Sequence, residues 1–190
     1  MKHIITSRNK IRMHLIKFIT FFFVLVFYPY LGFSQENYPT PKKTKTLLFY
    51  IQHSNNHNTY LYEINMNGQT VNSSDPIKEY RILYATDGSK KELTKMQKKI
   101  AYGIVLISLT DNLYKFRLAA TDELSFYLNF EKKVPPRIYV TINNQKMYLD
   151  KMFIQLEETK LGKNIKIAYI LFYGNDYKSN KAVIEKFILK

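Results

Sequence analysis

The sequence RIYVTINNQKMYLDKMFIQLE, residues 137–157, contains the pattern that decides the fold. Its beginning has the composition of a β-strand, and the dipeptide Asn143-Asn144 then supplies a turn into a second extended segment. In that second segment Met152 and Ile154 occupy alternate positions, which is the period of a strand buried on one face. We therefore expect strands joined by short turns in this half of the chain.

Strand patterns of the same kind continue on both sides of this stretch, at a spacing of roughly 8–12 residues. The apolar run at residues 104–109 is predicted to be a strand covered on both faces. Residues 181–189 fit a helix as well as a strand, and we favour a strand because a turn at 174–176 would pair it with residues 165–173. Further strands are expected at residues 47–52, 59–65, 77–85, 113–119 and 123–130.

One α-helix is predicted, at residues 89–102. Ser89 and Glu92 have the spacing of a capping box, and Gly103 is placed to end the helix in the left-handed conformation. Parallel strand pairs need crossover connections, usually helical, and only one helix is predicted. The predicted fold class is therefore mainly β: an antiparallel meander that forms a barrel or a barrel-like sandwich, with this one inserted helix.

The N-terminus resembles a secretory signal peptide. Five basic residues precede the apolar run at residues 18–28, the first acid is Glu36, and small residues end at Ser34. The run is shorter than the about 20 residues of a membrane-spanning helix, although an uncleaved anchor is the alternative. We predict a signal peptide at 1–34, an extended lead-in at 35–45 and a single β-rich domain at 46–190. The protein is expected in the periplasm or outside the cell, with no stable membrane span after cleavage.

The charge and cysteine content limit the classes of partner and chemistry. The net charge is +14, and removal of the five leader cations leaves +9, which suits an anionic partner or reflects only a lysine-rich composition. Outside the leader the only arginines are Arg81, Arg117 and Arg137, and no basic block alternates with aromatic residues, so we do not expect nucleic-acid binding. The chain has no cysteine, which excludes disulfides and cysteine nucleophiles.

Motifs for catalysis or metal binding are missing from the sequence. It contains no Gly-x-Ser-x-Gly elbow and no glycine-rich phosphate loop. His53 and His57 fall at a predicted polar turn without an obvious third ligand, so no metal site and no cofactor are predicted. Carboxylates such as Glu79 and Asp122 could still meet across strands, and we name no catalytic residue.

The tyrosines are the more informative side chains. The chain has 16 tyrosines and no tryptophan, and Tyr80 and Tyr84 share one face of a predicted strand close to the predicted helix. Such a face can line a ligand cavity, or tyrosine can simply serve as a good strand former. The candidate ligand-binding residues are Tyr80, Arg81, Tyr84, Gln97 and Tyr102.

Residues 48–103 resemble DUF4833, an uncharacterised family of exported bacterial proteins, over about a third of the chain. The resemblance implies an arginine where His53 stands and an aromatic residue where Arg81 stands, which disfavours a chemical role for either. It implies no activity. The residues that carry it are FYIQHSN at 49–55, Asn58, Asp75-Pro76, YRILYATDG at 80–88, Glu92-Leu93 and QKKIAYG at 97–103.

These observations lead to two main functional hypotheses and to a third, a purely structural partner of another envelope protein, which an exposed contiguous apolar patch would favour. The first is an exported, non-enzymatic binding or envelope-associated protein whose partner is an unknown small molecule, a glycan or an envelope protein. The second is a periplasmic hydrolase with a cross-strand carboxylate or histidine site. Two titratable side chains that converge in a cleft would favour the hydrolase.

Overall fold

The computed structural model describes residues 38–110, 113–130, 135–157 and 166–189. The predicted signal peptide at residues 1–34 lies outside the described residues. Residues from Tyr38 onward form a compact unit. The described part of the chain has no helix that is both long enough and apolar enough to cross a membrane.

The described residues form thirteen strands and one short helical segment. Their alternating burial follows from the period-two pattern of the sequence, in which apolar side chains face one side of the sheet. The elements are β1 Leu47–His53, β2 Asn56–Ile64, β3 Met66–Asn67, β4 Thr70–Val71, β5 Ile77–Ile82, β6 Lys90–Glu92, α1 Lys95–Gln97, β7 Ile104–Thr110, β8 Leu113–Leu118, β9 Phe126–Asn129, β10 Arg137–Ile142, β11 Gln145–Leu156, β12 Ile167–Asp176 and β13 Ala182–Phe187.

The principal sheet has the order β6-β5-β2-β1-β11-β10-β9-β8-β7, and β12 and β13 branch from β11. It curls into a half-barrel, which confirms the mainly β fold with one inserted helix. All its strand pairs are antiparallel except β1 with β11. The chain between these two strands forms the long connection that a parallel pair needs, and it does so with strands instead of a helix.

Strand β11 explains why residues 137–157 decide this topology. Its first residues pair with β10, and Lys151 to Ile154 pair with β1 along the same edge. Its opposite edge pairs with β12 over almost its whole length, with an irregularity between Leu149 and Lys151. The single strand β11 therefore pairs with three neighbours, β1, β10 and β12. The turn at Asn143 and Asn144, both at positive φ, sets the register between β10 and β11.

The core lies on the concave side of the sheet. Phe49 of β1 stacks on Tyr62 of β2 at 4.3 Å between ring centroids, and lies 6.1 Å from Phe126 of β9. Phe126 in turn lies 5.5 Å from Phe116 of β8. These fully buried rings connect the two halves of the curled sheet, so the concave side is filled by side chains.

The helix is shorter than predicted and begins at Lys95 instead of Ser89. Thr94 is the N-cap: its hydroxyl accepts a hydrogen bond from the Gln97 N–H, and the Gln97 side chain accepts one from the Thr94 N–H. Residues Lys90–Glu92 form the edge strand β6 instead. The sequence offers two capping boxes, and pairing with β5 excludes the first of them from a helix.

Gly103 is needed for close packing and not for a left-handed helix end. A wide π-helical turn at Lys98–Tyr102 follows α1, and Gly103 then has the extended conformation, with φ −69° and ψ 149°. A Cβ added to Gly103 would overlap the backbone carbonyl of Lys98. The absence of a side chain therefore lets the chain leave the turn directly into β7.

Strand β7 differs from expectation, whereas the last segment agrees with it except for the position of its turn. Strand β7 is not covered on both faces, since Leu106, Ile107 and Leu109 are 46–47% exposed. It also ends the sheet path and pairs, among the described residues, only with β8. The last segment is a strand, as predicted, and pairs with β12. The turn before it lies at 177–179 instead of 174–176, because Gly174 still belongs to β12. A Cβ on Gly174 would overlap the Tyr148 carbonyl of the neighbouring strand β11.

Candidate functional site

Tyr102 joins the helical segment to β1 and β2 through a buried aromatic cluster, formed by His53, Tyr60, Tyr62 and Tyr102. The rings of Tyr60 and Tyr102 stack at 3.7 Å between centroids. The Tyr102 hydroxyl lies 2.9 Å from Nε2 of His53, and the Tyr62 hydroxyl donates a 2.8 Å hydrogen bond to the Tyr102 carbonyl. The hydroxyl and the backbone carbonyl of Tyr102 therefore both form hydrogen bonds within the cluster.

The electrostatics of the buried aromatic cluster favour neutral side chains. Burial lowers the pKa of His53 to about 4, so its imidazole is uncharged at neutral pH. Burial also raises the pKa of Tyr102, and a hydrogen bond with Tyr60 adds to this effect. Burial, followed by the nearby Glu79 charge, raises the pKa of Tyr62. The buried aromatic cluster therefore holds a neutral histidine beside neutral tyrosines.

Glu79 on β5 is the buried carboxylate closest to this cluster in the fold, and it is fully engaged. It is 7% exposed, accepts a 2.7 Å hydrogen bond from the Lys98 ammonium and accepts a 3.1 Å hydrogen bond from the Ile104 N–H. The pair fixes the π-helical turn and the start of β7 against β5. Each carboxylate oxygen therefore has one protein partner, and the ion pair with Lys98 holds the Glu79 side chain in place.

A small cleft lies next to Glu79. Its volume is about 100 Å³, and Pro76, Ile104, Tyr114 and Phe116 contribute to its lining. Pockets for drug-sized ligands have volumes of roughly 300–1,000 Å³. The cleft is therefore too small to enclose such a ligand.

The structure separates the five predicted ligand-binding residues. Tyr102 belongs to the buried aromatic cluster, and Arg81 lies opposite Tyr60 in the β2–β5 register, with its Nε buried and without a hydrogen-bond partner among the described residues. Gln97 caps α1. Tyr80 points to the other face of β5, where the Lys90 ammonium lies 4.1 Å from its ring centroid, and Tyr84 lies in the following turn. Only Tyr102 and Arg81 are brought to the same region.

His53 and His57, the two histidines considered as metal ligands in the sequence, lie in different surroundings. His53 is buried in the cluster, whereas His57 is exposed and its ring lies 5.1 Å from that of Tyr38. Within the described ranges, no group of three or more histidine, aspartate or glutamate side chains has metal-binding geometry.

Sequence reasoning missed the convex side of the sheet, where tyrosines and cations form a continuous array. A row perpendicular to the strands places Lys115, Tyr127, Tyr139 and Tyr148 directly opposite one another on β8, β9, β10 and β11. All four are half-buried and alternate with fully buried core residues. We define the outer aromatic face as the following residues: Lys115, Tyr127, Arg137, Tyr139, Lys146, Tyr148 and Tyr177.

Ring stacking and cation–π contacts hold the outer aromatic face together. The rings of Tyr127 and Tyr139 stack at 4.9 Å between centroids, with an angle of 6°. The Lys146 ammonium lies 4.1 Å from the Tyr139 centroid and 3.6 Å from that of Tyr177. Tyr177 also stacks on Tyr148 at 4.9 Å. The array is therefore ordered before any ligand arrives.

Arg137 completes the outer aromatic face on the side away from Lys146. Its guanidinium carbon lies 3.8 Å from the Tyr148 centroid, and its charge interacts with that of the exposed Asp150. Burial raises the pKa of Tyr139 and of Tyr148, so both hydroxyls remain protonated donors at neutral pH. The sequence signal for this face is the alternation of basic and tyrosine residues in β10 and β11.

Comparison with known proteins identifies the family. Comparison with curated proteins and with solved structures gives no significant match. The family model "Domain of unknown function (DUF4833)" matches residues 49–186, about 72% of the chain. The match extends well beyond residues 48–103, so the resemblance expected over about a third of the chain was too short. The additional matched residues include the later strands, which belong to the same sheet. The chain therefore belongs to the DUF4833 family.

Proposed function

We propose that this protein is an exported, non-enzymatic binding protein of the cell envelope, which recognises its ligand on the outer aromatic face. The observation that carries the proposal is the in-register row of Lys115, Tyr127, Tyr139 and Tyr148 across four strands. Half-exposed tyrosine rings with cations beside them offer contact area, hydroxyl donors and positive charge on one rigid surface. Export is supported by the signal-peptide pattern of residues 1–34.

The interior of the sheet offers less support for a function. Its concave side is filled by core side chains, and the neighbouring cleft has a volume of only about 100 Å³. A hydrolase with a cross-strand carboxylate or histidine site is the less favoured alternative, because His53 is bonded to Tyr102 and Glu79 is bonded to Lys98 and Ile104. Glu79 does line the small cleft, but the two groups do not converge there, because His53 is not among the cleft's lining residues.

Two measurements test the proposal. Expression of the full chain in a Gram-negative host, followed by fractionation and mass spectrometry, should give an exported protein that lacks residues 1–34. Recovery of the intact chain from the cytosol would contradict the location.

The recovered protein should then be screened against arrays of glycans, lipids and peptides. Binding that is weakened by Tyr139→Ala and unchanged by Tyr169→Ala is expected, since Tyr169 pairs with a lysine on another part of the same sheet. Turnover of a substrate, or binding that is indifferent to Tyr139, would count against the proposal.

A further inference from the structure

We infer that the outer aromatic face binds linear acidic polysaccharides, that is, chains of carboxylate-bearing sugars. This inference rests on the proposed function and names its ligand class. The first argument is the shape of the surface. Adjacent strands are about 4.8 Å apart, so the row from Lys115 on β8 to Tyr148 on β11 extends roughly 14 Å across the sheet. A row of this length fits an extended chain of several sugar units better than one small molecule.

The second argument is the placement of charge on this face. Lys115 stands at one end of the tyrosine row, while Arg137 and Lys146 stand on opposite sides of it. Among the described residues, Asp150 is a carboxylate at the rim of this surface, where the charges of Arg137 and Lys43 act on it. The three cations of the outer aromatic face outnumber this carboxylate, and the resulting positive surface is complementary to a polymer with regularly repeated negative charges.

The third argument separates this ligand class from nucleic acids and membranes. Nucleic-acid bases bind by stacking on free aromatic faces, whereas Tyr127 and Tyr139 cover each other and Lys146 lies over Tyr139. The ring edges and hydroxyl groups of the tyrosines remain accessible, together with the charges of the neighbouring cations. These groups suit a polysaccharide that is rich in hydroxyl and carboxylate groups. Membrane binding uses bulky apolar residues beside the cations, and the tyrosine row itself offers phenol groups instead.

The test expresses the full chain and measures binding of the recovered exported protein to four probes by isothermal titration calorimetry. The probes are polygalacturonate, neutral dextran of similar length, a single-stranded DNA oligonucleotide and phosphatidylglycerol vesicles. We expect binding to polygalacturonate that weakens as salt rises, and no binding to dextran. DNA and vesicles should bind more weakly than polygalacturonate.

Matched lysine variants separate this site from a general attraction to a basic protein. Lys146→Gln should weaken polygalacturonate binding about fivefold, and the double variant with Arg137→Gln about 20-fold or more. Lys90→Gln and Lys186→Gln remove the same charge from cation–π pairs elsewhere on the sheet and should change affinity less than about twofold. Circular dichroism and thermal unfolding of each variant verify that the fold is intact.

The outcomes distinguish the inference from the proposed function. Equal losses in all four lysine and arginine variants, or no loss in any, would overturn the acidic-polysaccharide site. Tighter binding of DNA, vesicles or dextran through Lys146 would overturn the ligand class and leave the binding function standing. Absence of binding to every probe and to the broader arrays would overturn both.

Discussion

Acidification should weaken this fold through one histidine, His53. The side chain is 9% exposed, and burial lowers its pKa from 6.5 to about 4. The unfolded chain therefore binds one more proton than the folded chain between about pH 6.5 and pH 4. Stability rises with pH wherever the unfolded state binds more protons, so this contribution is complete above pH 6.5 and is lost as pH falls toward 4.

The expected size of this effect follows from the shift in pKa. One unit of pKa corresponds to about 1.4 kcal/mol, so titration of His53 should remove roughly 3 kcal/mol of unfolding free energy between pH 7 and pH 4. The groups that contact the imidazole are Tyr60 and Tyr102, and burial keeps the Tyr102 hydroxyl uncharged over this range. No carboxylate compensates the charge within these contacts.

The assay compares wild type with His53→Gln, which keeps a polar partner for Tyr102 but does not titrate. Urea unfolding followed by circular dichroism at pH 7, 6, 5 and 4 should give a pH dependence that is smaller in the variant by roughly 3 kcal/mol. His57→Gln is the matched control, because His57 is exposed, and it should behave like wild type. An identical loss of stability in wild type and His53→Gln would refute the reasoning.

Three further predictions concern stability and association. Glu79→Ala should lower the unfolding free energy by about 1–3 kcal/mol in urea titrations, because it leaves the Ile104 N–H without its acceptor. Gly174→Ala should cost about 1–3 kcal/mol in the same assay, because the added Cβ overlaps the Tyr148 carbonyl. Ile107→Lys should reduce concentration-dependent association in light scattering, because β7 is an apolar edge strand without a charged residue.

Each of these predictions has a control. Glu123→Ala removes an exposed acid and should change stability by less than about 0.5 kcal/mol. Gly68→Ala meets no neighbouring atom but has φ +65°, so only a backbone cost of about 1 kcal/mol is expected, and Gly174→Ala, which adds a clash with backbone, should exceed it. Ile184→Lys alters an edge strand that already carries charges, so association should change less. Equal effects in a variant and its control would contradict the corresponding argument.

The candidate site was only partly accessible from the sequence. The clustering of tyrosines near the helix drew attention to Tyr102, which the structure places against Tyr60 and His53, and Arg81 lies opposite Tyr60 in the β2–β5 register. The sequence did not show that Tyr80 lies on the opposite face of β5 from Arg81. Neighbouring residues on a strand point to opposite faces, and which of the two faces is buried depends on the tertiary structure. Gln97 has the role of a helix cap, which becomes visible only once the true start of the helix is known.

The outer aromatic face was missed for a different reason. Tyr127 and Tyr139 lie on different strands, and their contact depends on the register between β9 and β10. A shift of one residue in that register would move one of the two rings to the opposite side of the sheet and separate the pair. Sequence spacing alone does not fix such a register over several strands.

The sequence by itself determined the kind of structure: period-two apolar patterns specify strands, and Asn143-Asn144 specifies a turn, because both depend on local backbone preferences. Only the tertiary structure decided that β1 pairs in parallel with β11, that β7 lies at an exposed edge, and that Lys115 and Tyr148 end one row of side chains. These contacts join segments far apart in the chain. Their free energy comes from burying one face of the whole sheet at once, and no local pattern contains that sum.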